Sequence, residues 1–219
     1  MYVCIIFTQT GKMNTLSTTE EKIVEAAREI FAQKGFAGAR MQEIADRAGI
    51  NKGLLHYYFR SKEALFKAIF REAFTQFSQV LLDLLAGDTP VLEKIERIVD
   101  IYMDMLCQNP TLPGFIVNEL HTNTEQFVAE IMQSPAKPDP SRLIMQLHLE
   151  AQTGKIRPVD PFHTVLNILS MCVFPFIARP LIQQMVHLDE PTYMELMRQR
   201  KKAVKDFIRT ALLPEGQSV

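Results

Sequence analysis

Apolar residues recur through most of this chain at intervals of three and four, the period of a helix with one face covered and one in water. Thr18 and Glu21 form a T-x-x-E capping box, and Ile23, Ala26, Ala27, Ile30 and Phe31 follow on one face. This pattern predicts a helix over about 19–34, stopped by Gly35. A short helix over about 41–48 ends at Gly49, and a third over about 52–58 follows Asn51, a good N-cap. Ser61 caps a long helix reaching about Leu85, with Phe66, Ile69, Phe70, Ala73, Phe77, Val80, Leu81 and Leu84 as its stripe; "GDTP" at 87–90 breaks it.

Amphipathic runs continue over about 91–107, over 112–133 with an interruption near "HTNT", and over 140–153, ending at Gly154. Two more cover about 160–180 and 190–212. Nothing sustains the period-2 alternation of a strand, so an all-α fold of about nine helices is expected. There is no internal repeat, and "SPAKPDP" at 134–140 is a loop too short to separate domains. The opening "MYVCIIF" is apolar but lacks a positive leader and a cleavage site, so residues 1–17 are expected to be a flexible extension, with Met13 as a candidate natural start. No segment holds the ~18 uninterrupted apolar residues of a membrane span. The nearest, "FHTVLNILSMCVFPFIA", contains His163, Thr164, Asn167 and Pro175.

The second and third helices, "MQEIADRAGINKGLLHYYF", have the composition of a helix-turn-helix. Ala45 is small where two helices must approach, Gly49 can take the positive φ of a sharp turn, and Ile44, Ala48, Ile50 and Leu55 supply an apolar seam. With Leu55 and Phe59 inward, Lys52, Gly53, Leu54, His56 and Tyr57 lie on or beside an outer face suited to a DNA major groove. Lys52 and His56 can reach base edges, Tyr57 a phosphate and sugar, and Gly53 permits close approach. Lys62, directly after a helix N-cap, opposes the helix dipole and reads as a phosphate anchor. Arg40 and Gln42 are candidates for a phosphate and a base edge.

Charge sharpens this picture. The net charge is −1, yet residues 34–62 hold six cations (Lys34, Arg40, Arg47, Lys52, Arg60, Lys62) against Glu43 and Asp46. That excess of four leaves the remainder of the chain at −5, the pattern of a small region that meets a polyanion. Cys4, Cys107 and Cys172 are far apart, which argues against a disulfide framework or zinc site and suits a reducing cytoplasm. The five histidines form no H-E-x-x-H or E-x-x-H pattern, and no Gly-rich phosphate loop or G-x-S-x-G turn occurs. A non-enzymatic chain with no metal and no cofactor is therefore expected.

Residues 18–66, through "IVEAAREIFAQKGF" and "IADRAGINKGLLHYYFRSKEAL", resemble the DNA-binding domain of the TetR family of transcriptional repressors. The resemblance implies a three-helix DNA-binding domain over 18–62 and a helical ligand-binding and dimerisation domain over 63–213, with 214–219 as a tail. It further implies a homodimer on a palindromic double-stranded DNA operator, answering to a small-molecule effector. The chain departs from the family's habit at Arg40 and Leu54, where hydroxyl residues are common, and at His56, where Tyr is usual. These departures leave the operator sequence open, as repression against activation is left open.

For the effector, Phe74, Phe77, Met103, Cys107, Phe115, Glu119 and His121 are pocket candidates, although Met and aromatic residues at helical spacing are core more often than pocket, and Glu119 and His121 suit a surface equally. Residues 160–180 are apolar nearly all round and 190–212 carry a clean stripe, more than one chain would readily cover. Phe162, Leu166, Leu169, Phe174, Ile177, Tyr193, Met197, Val204 and Phe207 are accordingly the candidates for a two-fold interface, with burial inside the same chain as the alternative. A helical small-molecule-binding protein without a DNA role is the competing functional reading.

Overall fold

The computed structural model describes residues 18–134, 137 and 139–214; the expected N-terminal extension, Cys4 and Met13, and the tail beyond residue 214 lie outside them. Among the described residues the chain is helical with no strand. In order the helices are α1 Thr18–Gly38, α2 Met41–Ala48, α3 Lys52–Tyr58, α4 Lys62–Ala86, α5 Val91–Gln108, α6 Leu112–Thr122, α7 Thr124–Gln133, α8 Ser141–Gln152, α9 Pro161–Ile177, α10 Arg179–Val186 and α11 Glu190–Leu212. The chain divides into a unit ending at Ile69 and a unit beginning at Phe70, and α4 has residues in both.

Two of the nine expected helices are each a pair. The run over 112–133 breaks at Asn123, which closes α6 through its backbone N–H to Glu119 (2.8 Å) and opens α7 by accepting from Phe127 N–H (2.9 Å). The run over 160–180 breaks at Ala178, because Pro180 cannot donate to the carbonyl of Phe176. α9 and α10 then diverge by 69°, and no single described helix is long and apolar enough to cross a membrane.

In the unit from Phe70 onward, α5 is central. Its Val91, Ile95, Val99 and Met103 are wholly covered, together with Leu147 of α8, Cys172 of α9 and Tyr193 of α11. On the flank of this core three ion pairs join α5 to the antiparallel α11 at one-turn intervals: Glu96 with Arg209, Asp100 with Lys205, and Asp104 with Lys201. Their four-residue spacing on both helices keeps them on one edge of the contact.

At two places in this unit, the proline inside α9 and the end of α4, a long side chain supplies the missing donor. Pro175 lies within α9 and has no N–H for the carbonyl of Met171; Arg200 Nε of α11 donates to that carbonyl instead, at 2.9 Å. The Tyr193 hydroxyl donates to the carbonyl of Pro175 at 2.7 Å. Lys94, only 2% exposed, donates to the carbonyl of Gly87 (2.7 Å), the carbonyl of Leu85 (3.4 Å) and Gln146 Oε1 (2.7 Å). Gln146 Nε2 reaches the Thr89 carbonyl and Glu150, and Glu150 accepts from Val91 N–H. The α4–α5 corner is thus closed against α8 by a buried polar cluster.

Lys94→Met keeps the stem of the side chain and removes the donors from buried carbonyls. It is expected to destabilise the fold by about 2–3 kcal/mol, measured as a shift in the urea midpoint. Arg97→Met, which loses only an exposed pair with Glu93, should stay within about 0.5 kcal/mol of the parent.

Candidate nucleic-acid interface

The geometry of this region starts from one backbone conformation. Gly49 follows α2 at φ 69° and ψ 31°, a left-handed turn that side chains with a Cβ resist. Its N–H donates to the carbonyl of Asp46 (3.2 Å) and the N–H of Ile50 to that of Ala45 (3.0 Å), the paired bonds of a Schellman stop. A Cβ at Gly49 would meet nothing within 4 Å, so the turn's sign and not its space demands glycine. Asn51 then caps α3, its Oδ1 accepting from Leu54 N–H at 2.8 Å. Ile44, Ala45 and Leu55 are wholly covered and Phe59 nearly so. The seam thereby fixes which side of α3 remains outside.

On that outer side Lys52, Gly53, Leu54, His56 and Tyr57 are exposed, Tyr57 to 80%. The Tyr57 ring packs edge-on against Tyr58, with centroids 5.5 Å apart. His56 Nδ1 lies 3.3 Å from the Arg60 carbonyl. Gly53 has an internal reason to be glycine: a Cβ there would come within 3.2 Å of Asn51 Oδ1, the atom that caps the helix. Arg40 precedes α2 in an extended conformation and its side chain makes no capping bond, but, secondary to Lys34, its backbone N–H and its charge help hold the Glu43 carboxyl below its ordinary pKa; Gln42 Nε2 donates to Asp46 at 2.7 Å.

The six cations of the basic stretch are not equivalent. Lys34 pairs with Glu43 at 2.8 Å, which holds that carboxyl below its ordinary pKa, and Arg47 pairs with Glu29. Both pairs brace α1 against α2. Lys62 also departs from expectation. Its ammonium lies 3.1 Å from the Ala39 carbonyl, 3.4 Å from that of Ala37, and 4.6 Å from the centre of the Phe36 ring. Gly35 breaks α1 at φ 68° and ψ 173°, and Lys62 serves the carbonyls beyond the break. Its place at the start of α4 is therefore explained within the chain, without a phosphate. Arg40, Lys52 and Arg60 make no ion pair or side-chain hydrogen bond among the described residues, and all three are exposed. Arg60 is the residue that sequence reasoning left out. The available signal was that no acidic residue lies within one turn before it.

The other candidates fall in the second unit and separate. Phe77 meets Tyr102 edge-on at 4.6 Å, while Phe74 stacks with Phe70 at 5.3 Å and Phe70 lies 5.8 Å from Phe115. Met103 belongs to the α5 core, with the half-buried Cys107 packed against it. Glu119 is buried, with Asn123 Nδ2 donating to it at 3.3 Å, but His121 is exposed. Two positions apart on α6, these side chains lie about 200° apart around the helix, so these two pocket candidates do not share a face. Of the interface candidates, Phe162, Leu166, Phe174, Ile177 and Phe207 are exposed and Leu169 is half-buried. Tyr193, Met197 and Val204 are instead buried in their own chain's core and present nothing outward, a correction to the expected set. Leu196, exposed on α11, was not expected.

Residues 23–69 match the family model described as bacterial regulatory proteins, tetR family. The chain is 25% identical over 186 residues to the probable HTH-type transcriptional regulator YttP of Bacillus subtilis (strain 168), covering 82% of this chain and 88% of that one. It is 28% identical over 162 residues to the HTH-type transcriptional regulator RutR of Escherichia coli (strain K12), covering 73% and 74%. In fold it is similar to AibR, whose crystal structure holds isovaleryl coenzyme A and operator DNA. That match has a TM-score of 0.58 at 19% identity and covers 87% of this chain and 96% of that one.

Gly49→Ala is expected to cost about 1–2 kcal/mol in chemical unfolding, and Gly49→Asn, which tolerates the left-handed region, distinctly less. Lys62→Met should cost about 1–2 kcal/mol through the orphaned α1 carbonyls while leaving the salt dependence of any DNA binding unchanged.

Proposed function

We propose that the chain, whose residues 23–69 match the tetR family model, is a transcriptional repressor of that family. In this reading it binds a palindromic operator as a homodimer and is released by a small apolar ligand. The observation that carries the reading is the outer side of α3, where Lys52, Leu54, His56 and Tyr57 are exposed and exposed Arg60 follows two residues after the helix. Exposed Lys52 and Arg60, which make no ion pair among the described residues, suit the phosphate backbone beside a major groove, with exposed Arg40 at the start of α2 as a third cation.

The homodimer is supported by apolar side chains that one copy leaves in water. Phe162, Leu166, Phe174 and Ile177 on α9 are 58%, 43%, 60% and 41% exposed, and Phe207 on α11 is 63% exposed. A second copy related by a two-fold axis would cover the same surface from both sides. It would also supply the second α3, which must sit about one helical turn of DNA, ~34–36 Å or a multiple, from the first. The ligand reading rests on the aromatic side chains of α4 through α7 and on buried Glu119 as a polar anchor. Because α4 has residues in both units, a ligand that favours one setting of α4 would change the spacing of the two copies of α3. It can do so only by its difference in affinity for the two settings. The site of action on this reading is the cytoplasm, where the DNA is.

The test is equilibrium binding of the whole chain to a random duplex pool, with selection, repeated over a range of salt. Enrichment of an inverted repeat is expected, with affinity falling steeply as salt rises. Arg40→Ala, Lys52→Ala and Arg60→Ala should each lower the salt slope by about one, whereas Lys34→Ala should not, its charge being committed to Glu43. No enrichment, or binding insensitive to salt, contradicts the reading and favours a ligand-binding protein without a DNA role. Phe207→Glu is expected to convert a dimer into monomers in sedimentation and to abolish operator binding with helicity unchanged.

A further inference from the structure

The outer side of α3 offers four side chains of different chemistry. Lys52 brings a cation that can donate to a phosphate or to a guanine edge. His56 has one ring nitrogen beside the Arg60 carbonyl, leaving the other for a partner, and Tyr57 projects a hydroxyl from an 80% exposed ring. Leu54 has no hydrogen-bonding atom in its side chain, yet it is 37% exposed on the same helix while the next residue, Leu55, is wholly covered.

Leu54 is also placed early and held firmly. It is the third residue of α3, and its N–H is fixed by the Asn51 cap at 2.8 Å, so the origin of its side chain is set before any partner arrives. The preceding residue, Gly53, interposes no side chain. The first residues of a recognition helix are the ones that meet base edges. In the major groove every base edge presents a donor or an acceptor, and only thymine adds an apolar group, its 5-methyl. A leucine there would desolvate the polar edge of any other base without compensation.

We propose that Leu54 is a specificity-determining residue that selects thymine in each half-site through contact with its 5-methyl group. The inference rests on the DNA-binding reading above and adds to it the base class that this chain prefers.

The experiment uses the full chain and the duplex it selects from a random pool. A thymine is expected at one fixed place in each half-site. Replacing that thymine by uracil, which removes only the methyl, should weaken binding about three- to tenfold. With Leu54→Ala the thymine and uracil duplexes should bind within about twofold of one another, and Leu54→Ser should relax or change the selected base at that place alone. Wild-type binding that is indifferent to uracil at every thymine overturns the proposal but leaves the DNA-binding reading standing. A Leu54→Ala chain that keeps the full wild-type discrimination does the same. Failure to enrich any duplex overturns both. The wild-type comparison needs no variant and decides the matter even if Leu54→Ala folds poorly.

Discussion

The left-handed turn at Gly49 is the constraint on which the candidate interface depends. Two short helices have little cohesion of their own, α2 with eight residues and α3 with seven. Their mutual angle is set where α2 stops, by the paired bonds from Gly49 and Ile50 back to Asp46 and Ala45. That angle sends Leu55 and Phe59 inward and leaves the opposite side of α3 uncovered. A turn of the other hand would rotate the same sequence into a different face, and its polar tips would have nothing to address.

A second regularity concerns charge. Lys62, Lys94 and Arg200 each spend their donors on backbone carbonyls that a helix end or a proline leaves without partners. Such a cation is part of the fold and is not available to a ligand in the same sense as one in water. The distinction leaves three of the six cations of residues 34–62 without an ion pair among the described residues, Arg40, Lys52 and Arg60, and of these Arg40 still attracts the Glu43 carboxylate. The net charge of the region is still positive, with Lys52 on α3 and Arg60 just after it.

Much of this was legible in the chain because it is local. The capping Asn51, the turning Gly49 and the inward Leu55 lie within seven residues of one another, and each follows from a short-range rule of backbone or periodicity. What escaped was non-local. Periodicity says that a face of α11 is covered but not by what, so Tyr193, Met197 and Val204, packed into their own chain, looked like surface kept for another copy. Lys62 looked misplaced because the carbonyls it serves are more than twenty residues earlier, beyond a kink that only the φ of Gly35 reveals. Pro180 was visible, but the apolar run around it masked the bend that it imposes.

The account stands or falls on which surface of the first unit meets the duplex. Amide hydrogen exchange of the whole chain, with and without its selected duplex, addresses this directly. Slowed exchange confined to residues about 40–60, strongest across α3 and the Gly49 turn, is the predicted result. Unchanged exchange across α3, with protection appearing on another surface instead, would contradict it.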